Sequence, residues 1–253
     1  MVPWKSLVVD YLFATGVCVA VAVERQGFEG GPLMARAPPP SASALFVGYY
    51  NYFWTDGSGN VTYTNGGGGT YKISASADAA HWIGGKGWNT GISYSISFSA
   101  DFRVNNKGIL GVYGWTVNPL IEYYVVEKFV GFYPVSGGRL VGQVVSDGSV
   151  YDVVTLTRVN QPSIRGTATY MQVRSIRSSH RTSGAVTLAN HFNAWKSLGI
   201  LLGSFEYQIF AAEGFYSVSN VAVTIADGPG ATTTNPVSTT STISSQRTTT
   251  SLI

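Results

Sequence analysis

Among its 253 residues the chain has a single cysteine, Cys18, and only three histidines. That rules out a disulfide framework and leaves too few Cys and His side chains for a clustered metal site, so neither a metal nor a cofactor is expected. Charge is scarce as well: Asp, Glu, Lys and Arg make up 11% of the chain, the formal net charge is +3, and no basic patch stands out. Nucleic acid is therefore not an expected partner. The mostly apolar run Leu7–Val23 is short for a membrane span, which argues against a membrane partner. With Lys5 before it and the small-residue pattern Ala20-Val21-Ala22 near its end, it reads as a secretion signal over residues 1–22. The mature protein is then extracellular and free of cysteine.

What the chain has in quantity is aromatic and turn-forming residues: 15 Tyr, 12 Phe, 6 Trp and 30 Gly, with 45% hydrophobic residues in all. This composition favours an all-β domain. Residues 23–44, which contain Ala37-Pro38-Pro39-Pro40, read as a pro-segment or linker, and residues 45–227 as one domain. Residues 228–253 read as a disordered tail, because 14 of the 23 residues from Ala231 onward are Ser or Thr. Within the domain, Ile92, Tyr94, Ile96 and Phe98 alternate with serines, the period of a strand with one buried face. Asn105-Asn106-Lys107-Gly108 marks a turn, Asn118-Pro119 another, and Ser146-Asp147-Gly148 joins runs 141–145 and 150–158 into a hairpin. Asn190 to Gly199 breaks the rhythm, with Asn190 as cap, Phe192, Trp195 and Leu198 at helical spacing, and Gly199 as stop. Short, frequently punctuated strands with one short helix predict a sandwich or jelly roll.

Four glutamates lie between residues 45 and 227: Glu122, Glu127, Glu206 and Glu213. A carboxylate placed in an apolar, aromatic strand is costly to bury unless it is paired or put to use. Strand parity sets Glu122 with Tyr124 and Val126, and Glu127 on the opposite face. It likewise sets Glu213 with Tyr207, Ile209 and Ala211, and Glu206 on the other side. Parity does not say which face lines a cleft. Tyr113, Trp115, Tyr124, Arg158, Gln172 and Tyr207 are the kinds of side chain that pack on sugar rings or bond their hydroxyls, so a carbohydrate cleft would use them together.

At these residues the chain resembles the fungal-type, secreted endo-β-1,4-xylanases of glycoside hydrolase family 11. The shared segments are YNYFWTDGSGNVTYTNGGGGTY, GGKGWNTG, GVYGWTVNPLIEYYVVEKF, SDGSVYDVVTLTRVNQPSI, RTSGAVTLANHFNAWKSLG and YQIFAAEGF, in the family's order over roughly residues 48 to 225. The resemblance implies a β-jelly roll of two packed, strongly curved antiparallel sheets forming a cleft, closed by a thumb loop whose tip is Pro162-Ser163-Ile164. It implies hydrolysis of internal β-1,4 bonds of xylan with retention, Glu122 as nucleophile and Glu213 as acid/base, in a monomer without a cofactor. It also implies substrate-binding roles for Trp54, Tyr113, Tyr124, Arg158, Pro162, Gln172 and Tyr207. The alternatives are a related jelly-roll endoglucanase and a polysaccharide-binding protein that has lost catalysis.

The chain departs from the family pattern at Ala75, Val117 and Arg174, where Trp, Arg and Trp are usual, and at His81, where Asn or Asp is usual and bonds the acid/base. His81 is accordingly expected beside Glu213, tuning its pKa. His180 and His191 have no clustered ligand partners and read as a loop residue and a first-turn helix residue. Asn60-Val61-Thr62 is a candidate N-glycosylation site.

Overall fold

Alternating apolar and polar residues give this chain strands with two distinct faces, and the pairing of those strands decides which face meets solvent. The structure, a computed structural model, describes residues 42–46 (backbone), 48–134 and 136–228. The secretion-signal reading, most of the pro-segment reading and the tail beyond Gly228 lie outside the described residues. A nine-stranded sheet contains β1 (Ala42–Phe46), β2 (Tyr49–Thr55), β5 (Trp82–Trp88), β7 (Lys107–Val117), β8 (Ile121–Val130), β9 (Arg139–Ser146), β10 (Ser149–Ser163), β11 (Gly166–Arg177) and β13 (Ser204–Phe215). Its order is β1-β2-β5-β13-β7-β8-β11-β10-β9. A five-stranded sheet contains β3 (Val61–Asn65), β4 (Thr70–Ala75), β6 (Ser95–Val104), β12 (Ser183–Thr187) and β14 (Ser219–Asp227), in the order β12-β6-β14-β4-β3. One helix, α1 (Leu188–Ser197), completes the all-β jelly roll. Every strand pair is antiparallel except β8 with β11, which run parallel with Gln172 beside Glu122.

Parity divides the large sheet's side chains into two clusters. Leu110 and Val112 of β7, Tyr123 and Val125 of β8, Val173 of β11 and Phe210 of β13 face the small sheet, where they meet Tyr71, Ile96, Phe98 and Val221. Ile109, Tyr113 and Trp115, Tyr124 and Val126, Ile176, and Ile209 and Ala211 belong to a second cluster on the other face, which also holds Tyr52, Trp54 and Tyr170. Each fully buried large apolar side chain contributes about 1.5–3 kcal/mol, so both faces of the sheet hold it in shape. Gly85 and Gly87 of β5 allow close pairing with β13, since a Cβ there would meet Phe210 O at 2.3 Å and Gln208 O at 2.1 Å.

Several elements differ in extent from their expected bounds. Strand β1 occupies Ala42–Phe46, partly inside the segment read as a linker, because it pairs with β2 from Ala42↔Phe53 to Phe46↔Tyr49. The run at Ile92 becomes a strand only at Ser95; Tyr94 is exposed, and Ser97 is buried with its hydroxyl donating to Ala226 O at 3.1 Å. The expected hairpin is present and longer, with a turn at Asp147-Gly148 whose φ angles of 48° and 72° suit the twist of the flanking strands. The helix begins before Asn190, with Thr187 at its N-cap. Asp147 explains the shift, because its carboxylate accepts from Thr187 N at 2.9 Å and from Thr187 Oγ1 at 2.7 Å. Asn190 instead donates to Ser146 Oγ at 3.0 Å. Gly199, with φ 82°, stands just past the helix end as expected.

Glu127, fully buried on the core side, accepts from Tyr151 Oη at 2.8 Å and from Arg181 Nε, while Arg177 Nη1 donates to Tyr151 Oη at 2.5 Å. Truncating one partner of a buried ion pair leaves the other charge without compensation. Arg181→Met is therefore expected to lower unfolding free energy by about 3 to 5 kcal/mol. The drop should appear as a lower urea midpoint with little change in slope.

His191 of α1 is fully buried against Tyr151, ring centroids 4.6 Å apart, and neither ring nitrogen has a hydrogen-bond partner. Burial, opposed by Asp147 and reinforced by Arg177 and Arg181, pushes its pKa down to about 3. The unfolded chain titrates near about 6.5 and takes up a proton the fold refuses, so stability falls as pH drops from there toward 3 and then levels. The loss is bounded by about 5 kcal/mol. His191→Leu should flatten that part of the stability–pH curve, measured as urea midpoints at stepped pH; an unchanged slope would refute the assignment.

Candidate active site

On the face of the large sheet turned away from the small one, neighbouring strands β7 and β13 put their odd-numbered side chains, and β8 its even-numbered ones, among the buried aromatics. Strand β8 follows a turn with a cis Asn118–Pro119 peptide and carries Glu122 as its second residue. Strand β13 carries Glu213, paired in register with Ile83 of β5 and Ile109 of β7. Both carboxylates are nearly out of solvent, 4% and 5% exposed, and both line one cleft of about 430 Å³, open to solvent, together with His81, Tyr124, Gln172, Arg174 and Phe215.

The two glutamates sit in different surroundings. Glu122 Oε1 accepts from Tyr113 Oη at 2.8 Å, and Oε2 accepts from Gln172 Nε2. Trp115 Nε1 donates to the Tyr113 hydroxyl at 2.5 Å, which orients that hydroxyl toward the carboxylate. Both donors to Glu122 are uncharged. Glu213 Oε1 lies 2.8 Å from Nε2 of His81, the residue immediately before β5. The imidazole is fixed by stacking on Phe215, centroids 4.4 Å apart at 20°, and by the edge contact with Trp54 at 5.0 Å. The close approach of β5 to β13 seats this histidine against the carboxylate.

The remaining expected site residues surround this pair at different distances. Tyr124 is buried, its ring 5.5 Å from that of Tyr113. Tyr207, half-buried, stacks on Tyr52 at 4.8 Å and approaches Tyr113 at 6.1 Å. Trp54 is only 6% exposed, so its contact with His81 rather than an open face is its main feature here. Arg158 and Pro162 stand on the β10–β11 hairpin. Arg158 is paired with Tyr170 and bonds Gln161 at 3.4 Å, and Pro162 O accepts from Tyr170 Oη at 3.0 Å. Asn60 is exposed beside β3, with its backbone N–H donating to Ser76 Oγ at 2.8 Å.

The profile of the glycosyl hydrolases family 11 matches residues 47–224. The chain belongs to that family. An endo-1,4-beta-xylanase 11A from Botryotinia fuckeliana is 46% identical over 227 residues, covering 89% of this chain and all of that protein. Endo-1,4-beta-xylanase B from Phanerodontia chrysosporium is 46% identical over 232 residues, covering 92% of this chain and 79% of that one. A solved structure from a comparison of two major endo-1,4-beta-xylanases of Trichoderma reesei superposes with a TM-score of 0.66 at 41% identity, over 74% of this chain and 100% of that chain.

Three members of this family 11 site were not singled out from the sequence. Phe215 lies two residues after Glu213 and shares its face, so strand parity alone would have flagged it. Tyr52 has the parity of Trp54 in β2 and was available by the same reasoning. Arg174, noted only as a departure, lines the cleft with the glutamates and donates through Nη1 to Pro134 O at 2.7 Å.

Proposed function

We propose that this chain is a secreted, monomeric endo-1,4-β-xylanase that cleaves internal bonds of xylan with retention of configuration. The observation that carries this reading is the pair of buried glutamates on one cleft, one held by two neutral donors and the other by an imidazole. Membership of family 11 and the names of the relatives supply the substrate class.

In a retaining mechanism the two carboxyls stand about 5 to 5.5 Å apart on either side of the scissile bond. Glu122, ionised between Tyr113 and Gln172, attacks the anomeric carbon; Glu213, protonated, gives its proton to the departing oxygen. Glu213 then takes a proton from water, which breaks the glycosyl–Glu122 bond and regenerates both groups. Tyr124 and Tyr207 provide aromatic and hydroxyl contacts to the reacting sugars, and Trp54 completes the aromatic wall. Arg158 and Pro162 act from the β10–β11 hairpin.

Glu213→Gln is expected to lower xylan hydrolysis by about 10² to 10⁴-fold, with much less loss on an aryl xyloside whose leaving group needs no proton. Glu122→Gln should abolish turnover on both. Reducing-sugar release from xylan and from a soluble cellulose derivative measures these effects, and NMR of the first product reads its anomeric form. Activity that survives Glu122→Gln, or an inverted first product, would overturn the mechanism; preference for the cellulose derivative would favour the endoglucanase reading.

His81 governs the proton of Glu213 in this proposal. When His81 is protonated, its imidazolium 2.8 Å away favours the carboxylate form of Glu213 and so opposes proton donation. His81→Asn is expected to move the alkaline limb of the kcat/KM profile up by about one pH unit. A profile that stays in place would show that His81 has no such part.

A further inference from the structure

Arg165 stands at the tip of the β10–β11 hairpin, and its Nη2 donates to Glu206 Oε1 of β13 at 2.5 Å. In the large sheet β13 and β11 are not neighbours: β7 and β8 lie between them, carrying Tyr113, Trp115 and Glu122. Three strand spacings amount to about 14 Å, so the hairpin must reach across the floor of the cleft to make this bond. We propose that Arg165 and Glu206 form a strap that holds a polysaccharide chain in the cleft between successive cuts. This rests on the xylanase reading of the same cleft.

The hairpin has the parts such a strap requires. Its tip is a preformed turn, in which Ser163 Oγ donates to Gly166 O at 2.7 Å and accepts from Arg165 N at 3.0 Å. Its root carries a register shift between Arg158 and Gln161, with Asn160 at φ 50°, where the ladder to β11 is interrupted. On the other bank, a bulge between Phe205 and Gln208 places Glu206 beside Tyr207, the tyrosine stacked on Tyr52. Between root and tip the hairpin is braced by Tyr170, which bonds Pro162 O and packs on Trp115 at 5.0 Å. The segment is thus stiff, hinged at one end and fastened at the other by a single ion pair.

The fastening is weak by construction. Side chains of Arg165 and Glu206 are 60% and 36% exposed, so solvent screens the pair and salt weakens it. An internal segment of a polymer cannot be threaded under a closed strap; it enters while the pair is open and is retained when the pair re-forms over it. Short substrates leave by the ends and do not sense the strap.

The test compares Arg165→Gln, Glu206→Gln and the charge exchange Arg165→Glu with Glu206→Arg, on soluble xylan and on a short chromogenic xyloside. Early in the reaction, the ratio of short oligosaccharides to new chain ends on the polymer reports cuts per encounter. Each single variant is expected to lower that ratio about two- to fivefold and to lose the fall that added NaCl causes in the wild type. The charge exchange should restore both, and kcat/KM on the short xyloside should stay within about twofold. Unchanged ratios, a charge exchange that restores nothing, or an equal loss on the short substrate would overturn the strap. A wild type that cleaves neither substrate would overturn the xylanase reading and the strap with it; an active wild type with unaltered variants would overturn the strap alone.

Discussion

A carboxylate enclosed by β-strands gives up its water, and the structure around it must return hydrogen bonds or countercharge. Much of the arrangement of this protein answers that demand. With few charges available, the chain spends neutral donors on Glu122, an imidazole on Glu213, and a guanidinium and a tyrosine on Glu127. The layering of aromatic residues above and below the large sheet makes these sites dry; the choice of partner makes them different.

Glu122 and Glu127 show how that difference is produced within a single strand. They lie on β8 and on opposite faces of it. On the core side, Glu127 occupies a register irregularity between β7 and β8 and is tied into a charged cluster that joins β8, β10, β11 and the segment leading to β12. On the cleft side, Glu122 faces donors that carry no net charge. The guanidinium ties Glu127 into the framework, whereas Glu122 is bonded by neutral donors and lines the cleft.

The two-faced strands were legible from residue alternation, and so were the turn at Asp147-Gly148 and the presence of one helix. Parity correctly separated Glu122 from Glu127 and grouped Glu213 with Ile209 and Ala211, because a period of two survives any pairing of strands. It could not name the cleft face, since both faces of the large sheet are aromatic and apolar. The helix start was misjudged because its anchor, Asp147, is forty residues away in sequence. The Arg165–Glu206 bond was hidden for the same reason: strand order, not strand pattern, determines what a hairpin tip can reach. His81 beside Glu213 came from likeness to the family rather than from any local signal.

The glycines of β5 set the spacing of that last pair by backbone rather than by side chain. Because β5 lies against β13 with no room for a Cβ at Gly85 or Gly87, the seat of residue 81 is fixed before its side chain is chosen. A different amino acid at that seat meets the same carboxylate from the same direction, with the sheet undisturbed. Position 81 is in this sense an exchangeable fitting, whose side chain can be replaced one codon at a time while its seat beside Glu213 stays the same.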